Sequence, residues 1–252
     1  MMTRFLTSAS LAAFVGLGSP ALAFDIADMT EAERQVFGEE VRAYLMENPQ
    51  VIIDAVNELE RQQQAAQGGI DGALVADNHD AIFDDGFSHV GGNPEGDITL
   101  VEFLDYRCGY CRKAHAEVHE LIKSDGNIRY ITKEFPILGA ESLASSQFAI
   151  AVRQVAGDEA YVNANNTLIA FNGQVNDTSL RRMAEALGVD ADAVMDRMDS
   201  PEVAKVISDT RDLARTLKIN GTPTFVLEDV MLRGYLPLDS MRQIVDEVRT
   251  ES

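Results

Sequence analysis

Residues 101–115 read VEFLDYRCGYCRKAH. The run that leads into them, Ile98 to Leu104, is apolar apart from Thr99 and Glu102 and has the length of a buried strand. Asp105, Tyr106 and Arg107 end it. The residues after Cys111 read as a helix that stops at Asp125-Gly126. Cys108 and Cys111 therefore stand two residues apart where a strand turns into a helix.

Downstream, Asn127 to Phe135 (NIRYITKEF) alternates as a second strand and is stopped by Pro136. Residues 142–218 are mostly helical, punctuated by Gly157, Gly173 and Gly188. Gly221 to Leu227 and Val230 to Arg233 read as paired strands, and Leu238 to Val248 as a closing amphipathic helix. This order of elements predicts an α/β fold.

Upstream, residues 24–67 have a helical pattern. Thr30 and Glu33 make a capping box, and Val36, Phe37, Val41, Tyr44 and Leu45 fall on one side of the helix it opens. Asn48-Pro49 starts a second helix, in which Ile52, Val56 and Leu59 repeat at four and three residues like a coiled-coil seam. Two short amphipathic helices must bury such a stripe on another surface, either that of the main domain or that of a second copy of the chain. Residues 68–97, rich in Gly and Asp, read as a linker or a set of irregular turns. Residues 1–23 read as a cleaved signal peptide: Arg4, an apolar run from Phe5 to Leu17, and the small residues Ala21-Leu22-Ala23.

The 252 residues carry 21 Lys and Arg against 41 Asp and Glu. That imbalance, with no basic cluster, excludes a nucleic-acid binder and disfavours docking on anionic lipid. No later stretch is apolar enough to span a membrane. Cleavage before Phe24 would leave 229 residues with 20 bases against 41 acids. Residues 24–89 hold 15 of those acids and only Arg34, Arg42 and Arg61, a net charge of −12.

Export places the two cysteines in an oxidising compartment. A bridge across two residues closes almost no loop and removes little unfolded-state entropy, so a structural staple explains it poorly. A pair cycling between dithiol and disulfide explains it better. A thiol at a helix N-terminus is acidified by unpaired N–H groups, which makes Cys108 the nucleophile. Cys111, one turn further in, resolves the mixed disulfide. Glu102, in an apolar strand, is expected to have a raised pKa and to relay a proton to or from Cys111. Lys133 is a candidate partner for Glu102. Arg107 and Arg112 are expected to favour the thiolate, and Gly109-Tyr110 to tune the pair. The sulfurs carry the electrons, so no dissociable cofactor is required.

The strand–CxxC–helix unit VEFLDYRCGYCRKAH, the spacing from Glu102 to Cys108 and the later GTPTF at 221–225 resemble the DsbA family of exported thiol–disulfide oxidoreductases. The resemblance implies a thioredoxin fold over residues 98–252, with a helical insertion at about 140–218 and an N-terminal helical extension. It makes Pro223 a cis-proline and Thr222 a backbone contact for substrate. The extension, the Gly-Tyr dipeptide and the Thr before the proline most resemble suppressor-of-copper-sensitivity C-type proteins. They imply a periplasmic protein that forms, isomerises or reduces disulfides in other exported proteins, works with a membrane redox partner and self-associates through residues 24–67. Strongly oxidising members carry a His between the cysteines, which this chain lacks.

A copper-binding or metallochaperone role for the same cysteines is the alternative. Cys111, His115 and His119 share a helical face at four-residue spacing. That ladder spans about 12 Å, too far for one tetrahedral ion. A dedicated metal site is therefore not expected, and copper(I) would bind Cys108 and Cys111 only incidentally. Asn165 and Asn176 begin N-x-T sequons that chance explains.

Overall fold

The computed structural model describes residues 28–251, so the expected signal peptide lies outside the described residues. The chain divides into two units, one ending at Glu60 and one beginning at Arg61. In the first, α1 (Glu31–Glu47) opens on the expected capping box: the Glu33 amide donates to the Thr30 hydroxyl at 3.4 Å, and the Thr30 amide donates to Glu33 at 2.8 Å. Asn48 caps the C-terminus of α1, its side-chain amide donating to the Tyr44 carbonyl at 2.9 Å. No residue of α1 is buried. Phe37, Val41, Tyr44, Ile52, Ile53, Val56 and Leu59 are each between 41% and 58% exposed.

Residues 68–97 differ from the expected linker. Helix α2 runs from Gln50 to Asp77, followed by α3 (His79–Phe83) and β1 (His89–Gly92). Each glycine in a helix interior costs about 1 kcal/mol, and the tertiary contacts of the last turns offset Gly68, Gly69 and Gly72. Asp71 and Val75 are buried there, and the Asp71 carboxylate accepts from Gln67 at 2.8 Å and from Arg233 at 2.9 Å. Asp85 does make a turn, accepting from the amides of Phe87 at 2.9 Å and Ser88 at 2.8 Å.

The second unit is built on one sheet in the order β1-β3-β2-β4-β5. Strand β2 (Ile98–Leu104) lies parallel to β3 (Ile128–Glu134) and antiparallel to β4 (Thr224–Leu227). The hairpin partner β5 (Val230–Arg233) and strand β1 occupy the edges and pair antiparallel. A central strand covered on both faces has to be apolar along its length, which is why β2 reads as an unbroken hydrophobic run. Leu100 and Tyr130 pack with α4 (Gly109–Asp125) and α9 (Leu238–Glu251) on one face. Val101, Phe103 and Ile131 pack with Ile82, Phe83, Leu213 and Ala214 on the other. The parallel β2–α4–β3 crossover leaves the C-terminal end of β2 and the first turn of α4 together at the top of the sheet.

The helical insertion comprises α5 (Ala140–Ala170), kinked at Gly157 (φ 86°), α6 (Asp177–Ala186), α7 (Ala191–Met198) and α8 (Pro201–Thr216). Asn176, Asp190 and Ser200 cap the last three. Its core of Phe148, Tyr161, Leu168 and Leu180 is continuous with Leu104, Tyr106, Cys108 and Cys111. No helix among the described residues is long and apolar enough to cross a membrane.

Candidate active site

Cys108 is the N-cap of α4, in extended backbone geometry, so the unpaired amides of the first helical turn converge on its sulfur. The Cys111 amide donates to Sγ of Cys108 at 3.5 Å, and the Cys108 thiol reaches the Thr222 carbonyl at 3.1 Å. The Thr222–Pro223 peptide is cis and directly precedes β4. Hydrogen bonding from the Cys111 thiol holds the Cys108 pKa down at about 5, against the opposing effect of burial and with further help from Thr222 and the amides of Cys111 and Tyr110. The same contact, acting in reverse, raises Cys111, and burial and the charge of Glu102 raise it further. Cys108 is 7% exposed and Cys111 1%; neither is bridged.

Glu102 lies inside, 3% exposed, and its carboxylate accepts from the Tyr130 hydroxyl. Burial pushes its pKa up to about 7, opposed by the Tyr130 hydrogen bond and reinforced by the charges of Cys108 and Glu134. The expected pairing with Lys133 does not occur. Side chains alternate along β3, so Lys133 points to the opposite face from Tyr130 and Thr132. There it bonds the Asp85 carboxylate and donates to the Ala81 carbonyl at 2.9 Å.

Arg107 and Arg112 face the insertion rather than the sulfurs. Arg112 donates to the carbonyls of Tyr106 at 2.9 Å and Phe171 at 2.7 Å, and to Asn172 at 2.5 Å. Arg107 reaches the Phe171 carbonyl at 3.2 Å and Glu141 at 3.1 Å. Neither guanidinium is among the causes of the Cys108 shift. Gly109 and Tyr110 form the exposed first turn; the Tyr110 ring, 63% exposed, stacks 6.3 Å from Tyr235, over which Lys113 is placed at 4.0 Å.

His115 bonds Asn166 of α5 at 2.8 Å, and the His115 and His119 rings lie 4.3 Å apart. Burial and the neighbouring His115 lower the His119 pKa to about 4. Among the described residues no group of three or more His, Cys, Asp or Glu could hold a metal ion. The sequon residue Asn165 is buried, donating to the Tyr106 hydroxyl at 3.1 Å.

Two acids escaped the sequence reading. Asp105, fully buried, accepts from the Arg107 amide at 2.8 Å and from the amides of Ile137 and Leu138 at 2.8 and 3.0 Å. Glu134, 4% exposed, accepts from the hydroxyls of Tyr106 and Tyr161, both at 2.7 Å. The signal for Glu134 was its parity: in a strand parallel to β2 it falls on the side that faces Glu102.

A family model described as "Thioredoxin" matches residues 84–247, and one described as "Copper resistance protein ScsC N-terminal domain" matches residues 33–66. A thioredoxin-like oxidoreductase from Silicibacter pomeroyi DSS-3 is 40% identical, with a TM-score of 0.64 over 69% of this chain and 98% of that one. The thiol-disulfide exchange protein alpha-DsbA2 from Wolbachia pipientis is 30% identical, with a TM-score of 0.68 over 73% of this chain and 98% of its own. The curated relatives are Na(+)/H(+) antiporters such as NhaA 1 from Salinispora arenicola, 30% identical over 158 residues, or 62% of this chain. The chain spans about a quarter of that relative's length, 24%.

Proposed function

Because the chain belongs to the thioredoxin family, in its DsbA-like branch with an ScsC-type N-terminal segment, we propose that it is a thiol–disulfide oxidoreductase acting on cysteines of other exported proteins in the periplasm. The observation that carries this reading is the asymmetry of the two sulfurs: Cys108 is acidified to about 5 beside the Thr222 carbonyl that precedes the cis-proline, and Cys111 is buried behind it with its pKa raised.

In the reductive direction the Cys108 thiolate attacks one sulfur of a substrate disulfide. That S–S bond breaks, the first substrate thiolate leaves and is protonated by solvent, and a mixed disulfide remains. Cys111 then passes its proton to the Glu102 carboxylate. Its sulfur attacks Cys108, the Cys108–substrate bond breaks, and the second substrate sulfur departs as a thiolate that takes its proton from solvent. The substrate disulfide becomes two thiols and the protein dithiol becomes a disulfide; oxidation of substrate is the same sequence reversed. The Thr222 backbone beside Cys108 supplies polar groups to an extended substrate strand, and a membrane redox partner resets the pair.

The exposed apolar side chains of α1 and the first half of α2, within the segment that matches the ScsC N-terminal model, support self-association through residues 24–67. Several active sites around one substrate raise effective concentration, which suits isomerisation of wrong disulfides. The test is refolding of scrambled ribonuclease beside a dithiol oxidation assay, each repeated without residues 24–67. Isomerisation that collapses without the segment while oxidation persists supports the reading; no exchange in either assay overturns it. The ScsC match also favours copper(I) capture by the reduced thiols as a second reading. Metal retention abolished by Cys108→Ser, in a protein inert toward disulfides, would establish that role instead.

A further inference from the structure

The parallel register pairs Glu102 with Thr132, so the same face of β3 presents Tyr130 two positions before that point and Glu134 two positions after. Tyr130 donates to Glu102. Glu134 is held apart by two other phenols, Tyr106 from the approach to Cys108 and Tyr161 from α5. Two buried carboxyls thus flank one stretch of sheet beneath the sulfurs.

The groups facing Glu134 do not neutralise it. From β2 and its following loop come Glu102, Asp105 and Tyr106, and from α5 come Tyr161 and Ser146. Arg153 lines the same small space, but its guanidinium is turned to Asp158 at 2.5 Å and to the Phe87 carbonyl. The His89 ring of β1 lies 4.7 Å from that of Tyr161, tilted by 39°, and is likewise bonded to Asp158, at 3.1 Å. Arg211 of α8 donates to the Pro136 carbonyl at 2.7 Å. Among the described residues the hydrogen-bond donors on Glu134 are the two phenols and the Ser146 hydroxyl, all of them neutral. These leave its charge in place to act on the neighbouring acid.

We propose that Glu134 is a positioning residue for disulfide exchange: its carboxylate, held by Tyr106 and Tyr161, raises the proton affinity of Glu102 and so sets the pH at which Cys111 can be deprotonated. Like charges in low dielectric resist ionising together, so the pair titrates in two steps. Glu134, with two phenol donors, ionises first; Glu102, with one, ionises second against that charge. Burial brings Glu134 up to about 7 against its hydrogen bonds, within the range where the coupling operates.

This inference rests on the proposed role of Glu102, and a titration separates the two. The Glu102 midpoint is read from its side-chain carboxyl carbon by NMR in the reduced protein, with Glu134→Gln and Tyr161→Phe beside the unsubstituted chain. Glu134→Gln removes the charge. Tyr161→Phe removes one donor, so Glu134 ionises later and less of its charge opposes the ionisation of Glu102. Glu134→Gln is expected to lower the proton affinity of Glu102 roughly tenfold and to move the pH profile of exchange down by the same amount, and Tyr161→Phe to move both in the same direction by a smaller factor. An unchanged Glu102 midpoint in either folded variant overturns the inference. The conservative Tyr161→Phe keeps the test decisive should Glu134→Gln not fold. If the unsubstituted chain exchanged no disulfides, the proposed function would fail while the titration still decided the coupling.

Discussion

At the residue scale the two sulfurs differ by their hydrogen bonds. Cys108 accepts from the Cys111 thiol and, to a smaller extent, from the free amides of a helix start, so its thiolate is expected to titrate with a midpoint near 5, read as absorbance at 240 nm in the reduced protein. An unperturbed thiol titrates near 8.5. The pKa is depressed, so the stabilisation of the reduced form is complete above about 8.5 and is lost as the pH falls through about 5. Thiol pKa values near 3.5 and 7 accompany potentials of about −120 and −270 mV in the strong oxidant DsbA and in thioredoxin. A glutathione titration should therefore place this pair between those limits. With no imidazolium between the sulfurs, it should stay clear of the oxidising extreme.

Glu102 has the opposite sign. Its folded pKa, about 7, lies above the 4.3 of an unperturbed glutamate, so the folded chain holds a proton that the unfolded chain has released. Stability contributed by the neutral form is complete below about 4.3 and declines as the pH rises to about 7. Glu102→Gln is expected to stabilise the protein at pH 8 by up to about 3 kcal/mol and to do little at pH 4, measured by urea denaturation at both. A uniform effect at the two pH values would contradict the burial argument. Asp105→Ala leaves three amides without their acceptor and should cost about 3 kcal/mol, with a loss of exchange activity as the Ile137–Leu138 turn loosens.

At the element scale, legibility followed the strength of the local signal. Strand β2 was readable to the residue because an apolar run with sharp boundaries leaves one solution. The end of α4 was readable because Gly126 adopts φ 76°, a conformation a Cβ disfavours. Gly126→Ala should therefore cost about 1 kcal/mol in the denaturation midpoint without altering the Cys108 titration. Residues 68–77 misled because glycines and acids are turn formers by composition. What keeps them helical is Asp71 on Arg233, a partner 162 residues away. Lys133 misled for a related reason: proximity in neighbouring strands does not reveal which face a side chain takes.

At the scale of the whole molecule, the division of charge carries a prediction. Residues 24–89 hold a net −12, and the same region bears the exposed apolar side chains. Copies that associate there bring like charges together, so sedimentation should show assembly strengthening from 10 mM to 300 mM salt as the Debye length shrinks from about 30 Å to under 8 Å. Ile52→Glu with Val56→Glu should give a monomer whose Cys108 titration is unchanged. A monomer at micromolar concentration in the unsubstituted chain would end the self-association proposal.

The near-complete burial of Cys111 has a practical consequence. The chain has two cysteines, and at mildly acidic pH only Cys108 is both ionised and within reach of solvent. The reduced protein thus comes with a single chemical handle at its own working atom. One equivalent of a maleimide or haloacetamide dye should mark each copy once, with no engineered residue. Because attachment there also silences the sulfur, the labelled fraction counts the competent sites in any preparation.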